Sequence, residues 1–378
     1  MIKGLPKQTV ENFRELSRGR KIVLYGFDPQ AVRAAVRQYS NFECIIDFDS
    51  ERWGMQFESL QIFPPEHLYS LRPETHLILV TAKSTSVYSK TRAIKVIDNF
   101  DVFFYSVLSD SFFGYFSNQL YDNLERLDAV ERLLADDQSK RIFREVICRR
   151  IMGATGEYKS LKITDNPQYI FGAMFENMNS NEVFLDCGGY IGDSVEKFVF
   201  SFGNKVKKIY SFECFEENIE KLHVTGERMA QNGWTGELVV VPYAVSDKNE
   251  TAVFNDLGKS DSGYLPETRL TTQYNAKLAP ISTVEVATRT IDSFVNENER
   301  ITLIKMDIEG AEYAALKGAE KTIRTYHPRL AISIYHNPCD YWRILELIHE
   351  FSPEYKFAIR HHQNNHLDTV LYAWQEEK

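Results

Sequence analysis

Carboxylates, glycines and one histidine stand at the ends of short apolar runs between residues 182 and 336. Glu182-Val-Phe-Leu-Asp-Cys-Gly-Gly-Tyr-Ile-Gly-Asp193 passes from an apolar stretch through Asp186 into a turn with glycines at 188, 189 and 192. Glycine lets a backbone turn tightly and approach a ligand without interference from a Cβ. Asp186, Gly188, Gly189 and Gly192, continued by Asp193 and Ser194, therefore read as a ligand-binding loop between a buried strand and a helix. A dinucleotide fingerprint needs G-x-G-x-x-G, and Cys187 stands where its first glycine belongs. What remains is D-x-G-x-x-x-G.

A second strand, Lys208-Ile-Tyr-Ser-Phe-Glu213, closes on an acid 27 residues after Asp186. A carboxylate there can accept hydrogen bonds from a ribose diol. Further along come Leu238-Val-Val-Val-Pro-Tyr-Ala-Val245, Thr290-Ile-Asp-Ser-Phe294 and Ile301-Thr-Leu-Ile-Lys-Met-Asp-Ile-Glu-Gly-Ala-Glu312. This order, and above all K-x-D-x-E-G-A-E followed by Ala315-Leu-Lys-Gly-Ala319, resembles the FkbM family of methyltransferases over roughly residues 125 to 374. The resemblance implies a class I methyltransferase that uses S-adenosylmethionine, with a hydroxyl of a sugar or another polyhydroxylated biosynthetic intermediate as acceptor. It assigns the cofactor to the glycine loop, Glu213, Cys214, Phe215, the backbone at Ala244 and Val245, and Asp307. The many aromatics read chiefly as core, with Phe212, Phe215 or Tyr243 as candidates to flank the adenine.

Methyl transfer from a sulfonium is a direct displacement that needs an aligned acceptor and a destination for its proton. Asp307, at the end of the fourth strand, is expected to orient the acceptor or act as base. Glu309 and Glu312 are spaced to share one turn of a helix, where they line the pocket or place charge at its N-terminus. His336, in Ser333-Ile-Tyr-His-Asn337, is a further candidate base, since an imidazole titrates near neutral pH. His361 and His362 follow the sixth strand. Together with Asp307 these histidines can be drawn as a divalent-metal site, but no compact ligand spacing supports it, so a divalent metal stays an unsupported option and no metal ligand is assigned. Cys187 has no histidine at fixed spacing and reads as a packing residue.

The elements that must position these groups form two alternating patterns. Residues 166–378 are expected to hold a seven-stranded sheet with strands at 182–186, 208–213, 238–243, 301–307, 329–335, 355–360 and 369–374, its last strand antiparallel as in the family. Residues 251–289 break the rhythm and are expected as a β-rich insertion or lid, with Ser260-Asp-Ser-Gly-Tyr264 near substrate or in a solvated turn. Residues 1–110 make a smaller Rossmann-like α/β domain, with strands at 21–26, 42–47, 77–81 and 101–105 and a helix over 31–39. Its first turn carries Asp28 in place of a second glycine, which disfavours a pyrophosphate. A structural or oligomerising role, including a homo-oligomer, suits it better. Residues 111–165 read as a helical connector, with Asp136 or Ser139 as helix N-cap.

A formal net charge of -9 argues against a nucleic-acid backbone as partner. The five scattered cysteines suggest neither a disulfide framework nor a zinc knuckle and fit a reducing cytoplasm. No apolar signal core or membrane-length run stands out, so any membrane contact is expected to be peripheral. The small-molecule or glycan-precursor acceptor expected as partner is what the family resemblance implies. Two other classes compete: an enzyme that binds a nucleotide sugar or NAD through the first domain, and a non-catalytic protein that keeps the methyltransferase fold.

Overall fold

The computed structural model describes residues 6–82, 95–109, 111–153, 158–161, 167–176, 178–256, 268–270, 282–295 and 299–376. Its contacts divide the chain into two units. One comprises Met1–Asp128, Phe143–Leu161 and Gln363–His366, the other Ala129–Ile142, Lys162–His362 and Leu367–Lys378.

The first unit is built on β1 (Lys21–Tyr25), β2 (Phe42–Ile46), β3 (Gln56–Phe57), β4 (Leu60–Phe63), β5 (His76–Val80) and β6 (Val102–Phe104), in the order β3-β4-β2-β1-β5-β6. All neighbours are parallel except β3 and β4. Their apolar runs follow from burial on both faces. Ile22 and Leu24 join one core cluster with Ile45, Leu77 and Leu79, while Val23 and Tyr25 join another with Cys44, Ile46 and Ile78. The β3–β4 hairpin at the sheet edge is unanticipated. Its turn residues Glu58 and Ser59 take φ of 48° and 63°, without the Asn-Gly or Gly pair that normally signals such a turn. Asp28 caps the helix Pro29–Gln38, accepting from the backbone N–H groups of Gln30 and Ala31. Asp47 accepts from that of Phe27 at 2.7 Å. The amides that would greet a phosphate at this turn already face carboxylates.

In the second unit, β7 (Glu182–Cys187), β8 (Val206–Phe212) and β9 (Glu237–Val241) are followed by β10 (Ala244–Val245), β11 (Thr251–Asp256), β12 (Thr268–Leu270) and β13 (Ser282–Arg289). Then come β14 (Leu303–Met306), β15 (Arg329–Ser333), β16 (Lys356–His361) and β17 (Thr369–Trp374). The seven-stranded sheet implied by the resemblance is present, in the order β16-β17-β15-β14-β7-β8-β9. Its parallel register is broken only by β17, antiparallel to both β15 and β16. The region expected as a β-rich insertion contributes to a separate sheet, β10-β13-β11-β12, and residues 260–264 lie outside the described residues.

Asp136, not Ser139, caps the helix Asp137–Ile151: its Oδ1 accepts from the Ser139 backbone N–H at 2.7 Å. Ser139 Oγ instead accepts from the backbone N–H of Ile359 and from the Arg360 guanidinium. The hydroxyl thus ties this helix to β16. Among the described residues no helix is long and apolar enough to cross a membrane.

Candidate active site

From β7 the sheet grows one way to β8 and the other way to β14, so the order of connection reverses between β7 and β14. In open α/β sheets such a switch point leaves a crevice beyond the carboxyl ends of the strands. The glycine loop leaves β7 at that place, and the Asp307 backbone N–H donates to the Cys187 carbonyl at 3.1 Å. The N–H groups of Gly188 and Gly189 both donate to the Phe212 carbonyl, at 3.0 and 2.9 Å. The loop is therefore pinned across three strand ends.

Gly188 has φ of +83°, and a Cβ placed there would lie 2.1 Å from the Asp307 carbonyl oxygen. The glycine serves close packing of the loop on β14 as much as approach to a ligand. Gly188→Ala is expected to destabilise the fold by about 2–5 kcal/mol, summing a left-handed alanine and overpacking against backbone. Gly19, at φ +74°, is the control, because a Cβ there would meet nothing within 4 Å. Its alanine variant is expected to cost only about 1–2 kcal/mol. Thermal unfolding compares the two, and equal losses would contradict the packing role.

Asp186 does not face the crevice. It is fully buried, with Oδ1 accepting from Ser194 Oγ at 2.9 Å and Oδ2 from Ser211 Oγ at 2.8 Å. Lys305 Nζ lies 3.0 Å from Asp186 Oδ1 and donates to the carbonyls of Cys187 and Gly188 at 3.2 and 2.6 Å. Direct cofactor contact by the side chains of Asp186 and Ser194 is thereby corrected: both brace the loop from beneath. Burial disfavours the Lys305 ammonium, but Asp186, Asp307 and Asp193 outweigh it and its pKa is raised. Asp193 opens the helix Asp193–Phe202 and pairs with Lys197 at 2.9 Å. Cys187 is wholly buried, which pushes its thiol pKa well up, as befits a packing residue.

Glu213 stands at the end of β8. Its Oε1 accepts from the backbone N–H groups of Cys214 and Phe215 at 2.8 and 3.0 Å, and Oε2 from that of Tyr190 at 2.9 Å. Burial raises its pKa despite these amides. A carboxylate oxygen has two lone pairs, so one backbone donor on Oε2 leaves acceptor capacity for a hydroxyl. Ala244 and Val245 pair in parallel with Thr288 and Arg289 of β13, so part of their backbone is spent in that ladder. Phe212 is removed from the adenine-flanking candidates: it is 2% exposed and packs edge-on against Phe294.

Asp307 gathers the remaining chemistry. Tyr169 Oη donates to its Oδ2 at 2.7 Å, and Tyr335 Oη to its Oδ1 at 3.2 Å. Burial, then the Asp307 charge, lifts both phenol pKa values well above their usual range, so both remain donors. His336 is buried, with Nδ1 3.0 Å from Glu312 Oε1 and Nε2 3.6 Å from Asp307 Oδ1 and 3.5 Å from Glu309 Oε2. Burial lowers its pKa, but the carboxylates of Glu312, Glu309 and Asp307 prevail and push it up to about 10. The expectation of a neutral imidazole base is corrected: His336 is an imidazolium at neutral pH.

Two further corrections come from the backbone. Glu309 and Glu312 do not share a helical turn, because Glu309 (φ 55°) and Gly310 (φ 98°) make a left-handed bend and the helix Glu312–Lys317 begins only afterwards. Glu312 is fully buried and its Oε1 accepts from the Ile308 N–H at 2.9 Å, so it braces the bend. His361 and His362 do not join Asp307; their rings meet Thr369 Oγ1 and Tyr372 Oη, each at 2.9 Å. Residue order alone does not reveal these roles of Lys305, Tyr169 and Tyr335. Lys305 heads the most specific motif, and Tyr169 lies in the family-like segment Gln168-Tyr-Ile-Phe171, so a signal exists for both.

The family model for the methyltransferase FkbM domain matches residues 186–369. No curated protein matches the chain. The crystal structure of methyltransferase FkbM from Methylobacillus flagellatus KT is similar, with a TM-score of 0.58 at 20% identity over 98% of this chain and 94% of that one. A putative rRNA methylase from Clostridium thermocellum (TM-score 0.31, 9% identity, 53% and 89% coverage) also aligns. So does a putative caffeoyl-CoA O-methyltransferase from Staphylococcus aureus (TM-score 0.29, 12% identity, 61% and 92% coverage). No conclusion rests on these last two. Residues 186–369 of this chain are an S-adenosylmethionine-dependent methyltransferase domain of the FkbM family.

Proposed function

We propose that this domain methylates a hydroxyl group of a sugar or another polyhydroxylated biosynthetic intermediate. The observation that carries the reading is Asp307, a partly exposed carboxylate at the sheet's switch point, hydrogen-bonded by two phenols and joined through its backbone to the glycine loop. S-adenosylmethionine supplies the electrophilic methyl group. The residues present suit it: glycines at 188, 189 and 192 let the loop pack tightly on Asp307, Ser211 and Thr225 at the strand ends, and Glu213 retains acceptor capacity for a ribose hydroxyl. Asp193, Cys214, Phe215, Ala244 and Val245 border the same strand ends.

Asp307 orients the acceptor hydroxyl and takes its proton as the oxygen is methylated. Tyr169 and Tyr335 hold that carboxylate in one orientation, and as un-ionised phenols they stabilise its charge. His336, already protonated, contributes positive charge beside it rather than basicity. The family resemblance supplies the acceptor class, and a carboxylate suits a hydroxyl, whose proton must leave during transfer.

Calorimetric titration of S-adenosylmethionine into the parent chain and into Glu213→Ala and Glu213→Gln variants tests the cofactor assignment. Saturable binding to the parent is expected, weakened roughly tenfold or more in each variant by loss of a charged acceptor. Undiminished binding in folded Glu213→Gln would remove Glu213 from the site. No binding by the folded parent would overturn the reading.

A further inference from the structure

His336 is unusual among the groups at this site. Its side chain is 1% exposed, and while Nδ1 faces Glu312 Oε1 at 3.0 Å, Nε2 has no protein group in hydrogen-bond geometry among the described residues. Leaving buried polar atoms without partners costs free energy unless something else satisfies them. Asp307, Glu312 and His336 offer ligand atoms that all lie within 4.8 Å of one another, and Glu309, outside that set, reaches the same ring with Oε2 3.5 Å from Nε2.

We propose that His336 Nε2, Asp307 and Glu309 bind a divalent first-row transition-metal cation, with Glu312 behind the imidazole as the group that orients it. The spacing decides between a hydrogen-bonded cluster and a metal site. Nε2 is 3.6 Å from Asp307 Oδ1 and 3.5 Å from Glu309 Oε2. Those separations are long for N–H···O bonds. They match ligands about 2.1 Å from a shared tetrahedral ion, which sit roughly 3.4 Å apart. One imidazole nitrogen with two carboxylate oxygens suits manganese, iron or zinc better than an all-oxygen cation site would.

Glu312 completes the pattern. A metal-binding histidine almost always directs its other ring nitrogen to a carboxylate or carbonyl, which sets tautomer and ring orientation. Glu312 Oε1 is 3.0 Å from Nδ1 and is itself fixed by the Ile308 N–H. Binding exchanges the proton on Nε2 for the ion and keeps the one on Nδ1, facing Glu312. Asp307 and Glu309 side chains are 22% and 38% exposed, so water or an acceptor oxygen can complete the coordination shell from the open side. A coordinated hydroxyl is a stronger acid. That catalytic use rests on the methyl-transfer reading; the binding of the ion does not.

The test is a titration of the full chain with MnCl2, following free Mn2+ by its paramagnetic resonance signal. The parent, His336→Gln and Glu309→Gln are compared, with S-adenosylmethionine titrated calorimetrically into the same preparations. One ion per parent chain, bound at least tenfold more weakly by both variants, is expected. Glu309 is the safer substitution because it lies at the rim, and matching thermal unfolding of Glu309→Gln and parent shows that the fold survives. A parent that binds Mn2+ no better than folded Glu309→Gln would overturn the proposal. If the parent then still binds S-adenosylmethionine, the methyl-transfer reading stands without the ion. Mn2+ binding with the expected variant losses but no cofactor binding would support the cation site and remove the other reading.

Discussion

Asp307→Asn is expected to lower kcat by about 10²–10⁴-fold, the range associated with loss of a positioned proton acceptor. The substitution preserves shape and one hydrogen-bond acceptor, so either Tyr169 or Tyr335 keeps its partner, while the basic oxygen is lost. The Asp307 backbone N–H still donates to Cys187 and the glycine loop keeps its anchor. S-adenosylmethionine affinity is therefore expected to stay within about tenfold of the parent, since no more than one ordinary hydrogen bond's worth of binding is at risk. The check is rate and cofactor affinity measured side by side, with any acceptor that the parent turns over. A kcat within a few-fold of the parent would eliminate Asp307 as the group that receives the proton. An equal fall in cofactor affinity would instead make it a binding residue.

Lys305→Met should unfold the domain more readily, by about 3–5 kcal/mol, because it leaves the Asp186 charge buried without its counterion. Asp186 is fully buried and Lys305 only 3% exposed. The hydroxyls of Ser194 and Ser211 remain as donors but neutralise nothing. The same change releases the carbonyls of Cys187 and Gly188 at the root of the glycine loop, so weaker S-adenosylmethionine binding is expected alongside. Adding Asp186→Asn removes the stranded charge, and the double variant should recover more than half of the lost stability. Denaturant unfolding of parent, both single variants and the double variant closes the cycle. A loss below about 1 kcal/mol in Lys305→Met, the range of an exposed pair, would show that the ion pair is not what holds the loop.

Much of the architecture is legible along the chain. The runs that form β7, β14 and β15 are buried on both faces, so they stand out without knowledge of their neighbours. The β3–β4 hairpin escapes notice because it is short and its turn carries Glu58 and Ser59, neither of which advertises a positive φ. The glycine loop is recognisable from spacing, since only glycine accepts both the φ of +83° at Gly188 and a carbonyl so close to its α-carbon. Spacing alone puts Glu309 and Glu312 on one helical turn, because periodicity does not reveal a left-handed bend.

What a carboxylate does is harder to read than where it lies. Asp186 and Asp307 both end strands in motif segments, and nothing local distinguishes them. Their roles diverge because Asp186 points down onto Lys305, Ser194 and Ser211, whereas Asp307 meets Tyr169 and Tyr335 and stays partly exposed. Likewise His336 carries an ordinary imidazole in the sequence, and becomes an imidazolium because three carboxylates converge on it from Asp307 to Glu312 across β14 and β15. Strand, loop and family are properties of residue order over a dozen positions or so. Ionisation, burial and the division between support and chemistry depend on which distant side chains share one low-dielectric space, and the folded arrangement alone brings them together.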